Sequence, residues 1–178
     1  MTSLRWISEL ARALINRSVA EDVVVDVLRS AHTLDRSFDT RPSMITDLSN
    51  PATPLADRDA ALTHALKGSC HPYLVNACRL LLQHHGFDAL RVFLLRVREE
   101  ARRRANVEDA EIRFADLPDA SVFKHLEESV SSARGRTVVL HAEEDASVEA
   151  GFCVNGLDWS LDASLHGARE RLYSHLLA

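Results

Sequence analysis

The chain has 178 residues and a formal net charge of −5, so it is long enough for one large or two small domains at roughly 100–200 residues each and lacks the concentrated basic footprint that nucleic acid demands. Hydrophobic residues at 46% and charged residues at 26% give a globular composition, and no apolar run approaches the roughly 20 residues of a membrane span; direct membrane insertion is therefore excluded and any membrane association is expected through partners. Three cysteines at irregular spacing predict free thiols in a reducing compartment.

The first helix is marked by Trp6, Ile7, Leu10 and Leu14 on one face. Arg5, Arg12 and Arg17 give it the look of an organellar targeting segment, but Glu9 interrupts that pattern and favours a mature first helix. Ser18 with Glu21 three residues later has capping-box spacing and predicts the start of a second helix, with Val24, Val27, Leu28 and Ala31 on its apolar face. Pro42 predicts the start of a short third helix that buries Ile45 and Leu48 and ends at Asn50-Pro51. Thr53 and Pro54 read as cap and first residue of a fourth, with Leu55, Leu62, Ala65 and Leu66 inward up to Gly68. Pro72 opens a fifth, lined by Leu74, Val75, Cys78, Leu81 and Leu82 and closed by Gly86; Asp88 caps a sixth, with Leu90, Phe93, Leu94, Val97 and Ala101 inward. Six amphipathic helices joined by short loops predict a bundle.

At Asn106 the apolar period changes from helical to alternating, with Ala110, Ile112 and Phe114 on one side and Asp109, Glu111 and Arg113 on the other. This places a domain boundary between residues 105 and 106. Pro118 and a capping Asp119 precede a helix with Val122, Phe123, Leu126 and Val130, which ends at Gly135; Thr137 to Ala142 alternates again through Val138, Leu140 and Ala142. Asn155-Gly156 reads as a two-residue hairpin turn between one strand with Phe152 and Val154 and another with Leu157, Trp159 and Leu161. Ser164 caps a last helix whose Leu165, Ala168, Leu172 and Leu176 recur at helical spacing, leaving Arg169, Glu170 and Arg171 to a solvated or partner-facing side. The expected fold is α+β, mainly α: a six-helix bundle over residues 1–105, then a small α/β domain over 106–178 with the order strand, helix, three strands, helix.

No stretch specifies chemistry. His64, Cys70, His71, Cys78, His84 and His85 include metal-ligand types, but no Cys-x-x-Cys or His-x-x-x-His pair supplies zinc-site spacing, so helix-surface histidines and buried thiols are the expectation. The arginines from Arg91 to Arg104 are interrupted by Glu99 and Glu100 and read as a solvated helix end, where positive charge suits the dipole. The six glycines form no phosphate loop, and Glu143, Glu144 and Asp145 have no His or Ser partner at a spacing that implies a mechanism. No catalytic residue, cofactor or metal is expected.

Three stretches carry a family resemblance. Asp145 to Val154 followed by Leu161-Asp162-Ala163-Ser164-Leu165-His166-Gly167 resembles the C-terminal signature of the F-type ATP synthase delta subunit family, called oligomycin-sensitivity-conferring protein in mitochondria. Leu48-Ser49-Asn50-Pro51-Ala52-Thr53-Pro54 is similar to that family's helix-to-helix joint, and Glu9 to Leu14 to its opening helix; Glu149, His166 and Leu10 depart from its usual pattern. The resemblance implies a non-catalytic stator subunit that links alpha subunits of the catalytic head, gripped by the bundle, to b-type peripheral stalk subunits, gripped by the C-terminal domain. It further implies contacts at Leu10 and Leu14 for the head and at Arg169, Leu172 and Leu176 for the stalk, and a place on the cytoplasmic face of the bacterial inner membrane. Two other readings stay open on the residues alone: a helical peptide-binding adaptor outside the synthase, and a small metal-dependent enzyme that would carry stoichiometric metal.

Overall fold

A computed structural model describes residues 4–176, with side chains from Arg5 to Ser174. The chain forms two compact units divided between Val107 and Glu108. The first contains α1 (Leu4–Ala20), α2 (Val24–Thr40), α3 (Ser43–Ser49), α4 (Leu55–Leu66), α5 (Pro72–Gln83), a 3-10 turn at Phe87–Ala89 and α6 (Leu90–Ala105). Helix α1 packs most extensively on α6 and also against α5 and α2, burying Ile7, Ala11, Leu14 and Ile15 beside Leu28, Leu81, Phe93 and Val97 in the core. Phe38 and Phe87 meet edge to face at 6.0 Å between ring centres. The six helices expected from the apolar periodicity are all present.

Several starts and stops lie elsewhere than the sequence predicts. Helix α1 runs on to Ala20, so Ser18 is buried inside it with Oγ donating to the Leu14 carbonyl at 2.8 Å. The stripe of Leu14 and Ile15 carries the helix past the Ser18 cap signal to Ala20, and α2 opens at Val24 without a side-chain cap. Helix α4 begins one residue late, after Pro54, and Leu55 and Ala65 face solvent. Their expected inward place is partly taken by Arg58, which is buried and donates to the carbonyls of Leu48 at 2.9 Å and Thr53 at 3.0 Å. One guanidinium thus ties the end of α3 to the start of α4 across the Asn50-Pro51 joint, satisfying carbonyls that the breaks leave without helical partners. Asp88 falls inside the 3-10 turn and Ala89 takes the cap of α6; Ile45 is half-buried. Helix α5 has a histidine cap: His71 Nδ1 accepts from the Tyr73 amide at 3.3 Å, with Pro72 opening the helix as expected.

The second unit contains β1 (Val107–Phe114) from its second residue on, α7 (Ala120–Arg134), β2 (Thr137–Glu144), β3 (Phe152–Gly156), β4 (Ser160–Asp162) and α8 (Leu165–Leu176), in a sheet of order β2-β1-β3-β4. Strands β1 and β3 are antiparallel, with Ile112 opposite Val154 and Ala110 opposite Gly156. Ala110, Ile112, Phe114, Val138, Leu140 and Val154 share a core with Val130 of α7, and Phe123, Leu126, Phe152 and Trp159 pack around it. Val122 and Ala142 face solvent. Edge strand β2 is shielded from further pairing because its Val138 and Leu140 amides donate to α7 side chains, Ser131 Oγ at 2.9 Å and Glu127 Oε1 at 3.0 Å.

The hairpin turn sits two residues later than Asn155-Gly156. Asn155 pairs with Ser160, and the Gly156 amide donates to the Trp159 carbonyl at 2.9 Å, so Leu157 and Asp158 form the turn and Leu157 is exposed. Gly156 serves as a space-saver: a Cβ there would lie 2.1 Å from the Trp159 indole. The indole is also covered by the Arg134 guanidinium, 4.8 Å from the ring centre, and Arg134 Nε reaches Glu108 at 3.0 Å. Glu108 is only 3% exposed and is approached by Arg136 as well, at 3.6 Å, so its charge is compensated from two sides.

Candidate partner-binding surfaces

Between α1 and α5 of the first unit runs a groove of about 200 Å³, lined by Leu10, Ala13, Leu14, Arg17, Tyr73, Asn76, Ala77 and Leu80. The α1 residues recur at intervals of three and four, as do those from α5, so two helix faces supply the walls. Of the residues that the family resemblance implies, Leu14 is buried in the floor and Leu10 is half-buried in the wall. The α5 wall escaped the sequence reading. Its signal was the run Leu80-Leu81-Leu82: three successive residues span 200° of a helix, so they cannot all face one core, and Leu80 is the one left 41% exposed.

At one end of the groove, Arg17 Nε donates to the Tyr73 hydroxyl at 3.3 Å, its guanidinium lies 5.8 Å from the Tyr73 ring centre, and Glu21 pairs with Arg17 while accepting from the Tyr73 hydroxyl. The Tyr73 contact, with Glu21 behind it, raises the Arg17 pKa further above its ordinary value, so the group stays charged. One helical turn beyond Leu10 and Leu80, outside the groove's lining residues, Trp6 and His84 stand with ring centres 5.1 Å apart. Elsewhere on α5, Arg79 joins Asp59 of α4 through two 2.7 Å bonds, and this hydrogen bonding holds the Asp59 carboxyl below its usual range. Cys78 is fully buried, which pushes its thiol far up and leaves it a packing group.

In the second unit the candidate surface is α8. Its start is built as the sequence predicts: Ser164 Oγ accepts from the Gly167 amide at 3.0 Å. Asp162 holds that cap in turn, accepting from the Ser164 amide at 2.8 Å and hydroxyl at 2.6 Å, and these bonds keep its carboxyl below the ordinary range. Gly167 allows this close approach, since a Cβ there would lie 2.3 Å from the Asp162 carboxylate.

The remainder of α8 reverses one expectation. Leu165 is 47% and Leu172 is 60% exposed, Ala168 also faces solvent, and the apolar stripe read as inward stands on the surface with Tyr173 beside it. Leu161 of edge strand β4 is likewise 44% exposed. The core under α7 closes without these side chains, and among the described residues of the last segment only Ser164 and Gly167 are buried. Arg169 is exposed and pairs with Glu149 at 3.7 Å; the Leu176 side chain lies outside the described ones. Among the described residues no helix is long and apolar enough to cross a membrane.

Comparison with known proteins is consistent along most of the chain. The family model of the ATP synthase delta (OSCP) subunit matches residues 8–176. ATP synthase subunit delta of Synechococcus sp. (strain WH7803) is 29% identical over 157 residues, covering 88% of this chain and 84% of that one. The subunit delta of strain CC9311 is 30% identical over 126 residues, 70% of this chain and 69% of its own. A chain in the cryo-EM structure of the Toxoplasma gondii mitochondrial ATP synthase hexamer has the same fold, with a TM-score of 0.59 at 15% identity over 97% of both chains.

Proposed function

The chain belongs to the ATP synthase delta (OSCP) subunit family, and on that premise we propose that it is a non-catalytic connector whose two units grip different parts of the synthase. The bundle takes an amphipathic N-terminal segment of the head's alpha subunits in the α1/α5 groove. The exposed stripe of α8, with Leu165, Leu172 and Tyr173, takes the end of the b-type peripheral stalk, with Arg169 at its polar border. The observation that carries this reading is the pairing of an apolar groove on one unit with an uncovered apolar helix stripe on the other. A groove between helices suits a helix read by anchors at helical spacing, and an unpartnered stripe suits packing against another helix. Each contact needs to bury on the order of 800 Å² per partner.

The connector's work is mechanical. Held at both ends, it keeps the head from turning with the rotor, so torque from ion flow becomes conformational change at catalytic sites on other subunits. The chain is then peripheral to the membrane, on its cytoplasmic face, through the complex. Truncation after Arg134 tests this, because it removes β2, β3, β4 and α8 while leaving every helix of the bundle. The truncated chain is expected to bind the head and to leave ATP hydrolysis intact, while ATP-driven ion pumping in delta-depleted membranes stays low. Normal pumping with that chain would refute the second unit as the stalk grip.

A further inference from the structure

No other element packs broadly against α8 among the described residues, so the direction in which its stripe points depends on what holds its base. Two backbone bonds do so: the Ala163 amide donates to the Phe152 carbonyl and the Leu165 amide to the Ala150 carbonyl, both at 2.9 Å. The first extends the β3-β4 ladder, and the second reaches the loop between β2 and β3, residues 145–151. Gly151 lets that loop touch the base, since its φ is +83° and a Cβ there would lie 2.3 Å from the Ala163 carbonyl oxygen. Glu149 of the same loop pairs with Arg169 at 3.7 Å, a second hold that its exposure keeps weak.

The loop is anchored to the sheet at Asp145. Its amide donates to the Phe114 carbonyl at 2.8 Å and its Oδ2 accepts from Arg113 at 3.0 Å, both on β1. Its Oδ1 accepts from the Ser147 amide and its carbonyl from the Val148 amide, each at 2.9 Å, closing a turn in which Val148 is buried. A continuous path of bonds thus runs from β1 through Asp145 and the Ala150 carbonyl to the first turn of α8. We infer that Asp145 is a positioning residue for the stalk grip, acting through this loop to fix where the Leu165–Leu172 stripe stands for its partner. A helix held in its binding direction beforehand gives up less freedom on association than one that must be ordered then. This rests on the reading of α8 as the stalk grip and adds to it the residue that presets the grip.

The test titrates the full chain with the soluble stalk segment and follows amide exchange in the free protein. Asp145→Ala is expected to weaken stalk binding about three- to tenfold and to speed exchange at Leu165, while exchange in β1 and β3 stays as in the unaltered chain. Asp145→Asn, which keeps an acceptor for the Ser147 amide, is expected to retain most of the affinity. Should Asp145→Ala fail to fold, Arg113→Gln removes one anchor of the loop and is expected to weaken binding about twofold, with the same confined change in exchange. Unchanged stalk affinity in the folded variant, or exchange that speeds in β1 and β3 as much as at Leu165, would overturn the inference while α8 stood as the grip. Undiminished stalk binding by Leu172→Asp would remove α8 as the grip and the inference with it.

Discussion

The bundle and the second unit solve the same problem of surface in opposite ways. In the bundle, Leu14 and Ala77 belong to the core and to the floor of the groove at once, so the proposed binding surface is the outer skin of the packing. In the second unit the core under α7 is closed without α8, whose leucines stand apart from it on the surface. A floor that is also core cannot be altered without cost to folding, while a stripe that is not core is free to change with its partner. On the proposed two-grip reading, fold and binding are coupled in the first unit and separable in the second.

The largest expected effect comes from attacking the small core directly. Ile112→Ala removes a fully buried side chain at the centre of the sheet and should cost about 2–5 kcal/mol, melting the second unit early while the helical signal of the bundle persists to its own transition. One cooperative transition for the whole variant chain would show that the units do not fold separately. Next is Arg134→Ala, which strips one of two cations from buried Glu108 and uncovers the Trp159 ring; it should cost about 1–3 kcal/mol, read as an earlier loss of near-ultraviolet tryptophan dichroism. Unchanged melting would mean that Arg136 alone compensates Glu108.

Smaller still is the cap of α8. Ser164→Ala should cost about 1 kcal/mol of helix stability, seen as faster amide exchange at Gly167 and Ala168. The same site has an acid response whose sign is set by its bonding. Asp162 is held below its ordinary 3.8, so its contribution is complete above that pH and is lost as pH falls through the depressed folded value. Asp162→Asn should flatten this acid dependence in the exchange of the first turn of α8; an unchanged profile would assign it to another carboxyl. The smallest effect sharpens the contrast most. Leu172→Asp should change stability by no more than about 0.5 kcal/mol, because Leu172 lies on the surface; a larger loss would place it in a core after all.

The sequence made the elements legible wherever a period ran long enough. Six helices, the change of period at Asn106 and the order of strands and helices beyond it were all readable from apolar spacing. Boundaries failed where two local signals competed. Ser18 and Glu21 have the spacing of a cap, yet burial of Leu14 and Ile15 carries α1 through Ser18 to Ala20. Asn155-Gly156 has the chemistry of a turn, but Gly156 is required beneath the Trp159 indole, a contact invisible without the hairpin.

Leu10 and Leu14 do line the groove, while its α5 wall required knowing that α5 is the neighbour of α1. For α8 the failure was one of principle. Periodicity reveals that Leu165, Ala168 and Leu172 share a face, and the same spacing serves a face turned to a core or to a partner.

The two-grip account is tested most directly by one crossed binding measurement on two surface variants, Leu80→Asp in the groove wall and Leu172→Asp on α8, each titrated against purified synthase head and against the soluble stalk segment. Leu80→Asp should lose the head and keep the stalk, and Leu172→Asp should keep the head and lose the stalk. Loss of both partners by either folded variant, or retention of both by each, would contradict separate grips on the two units.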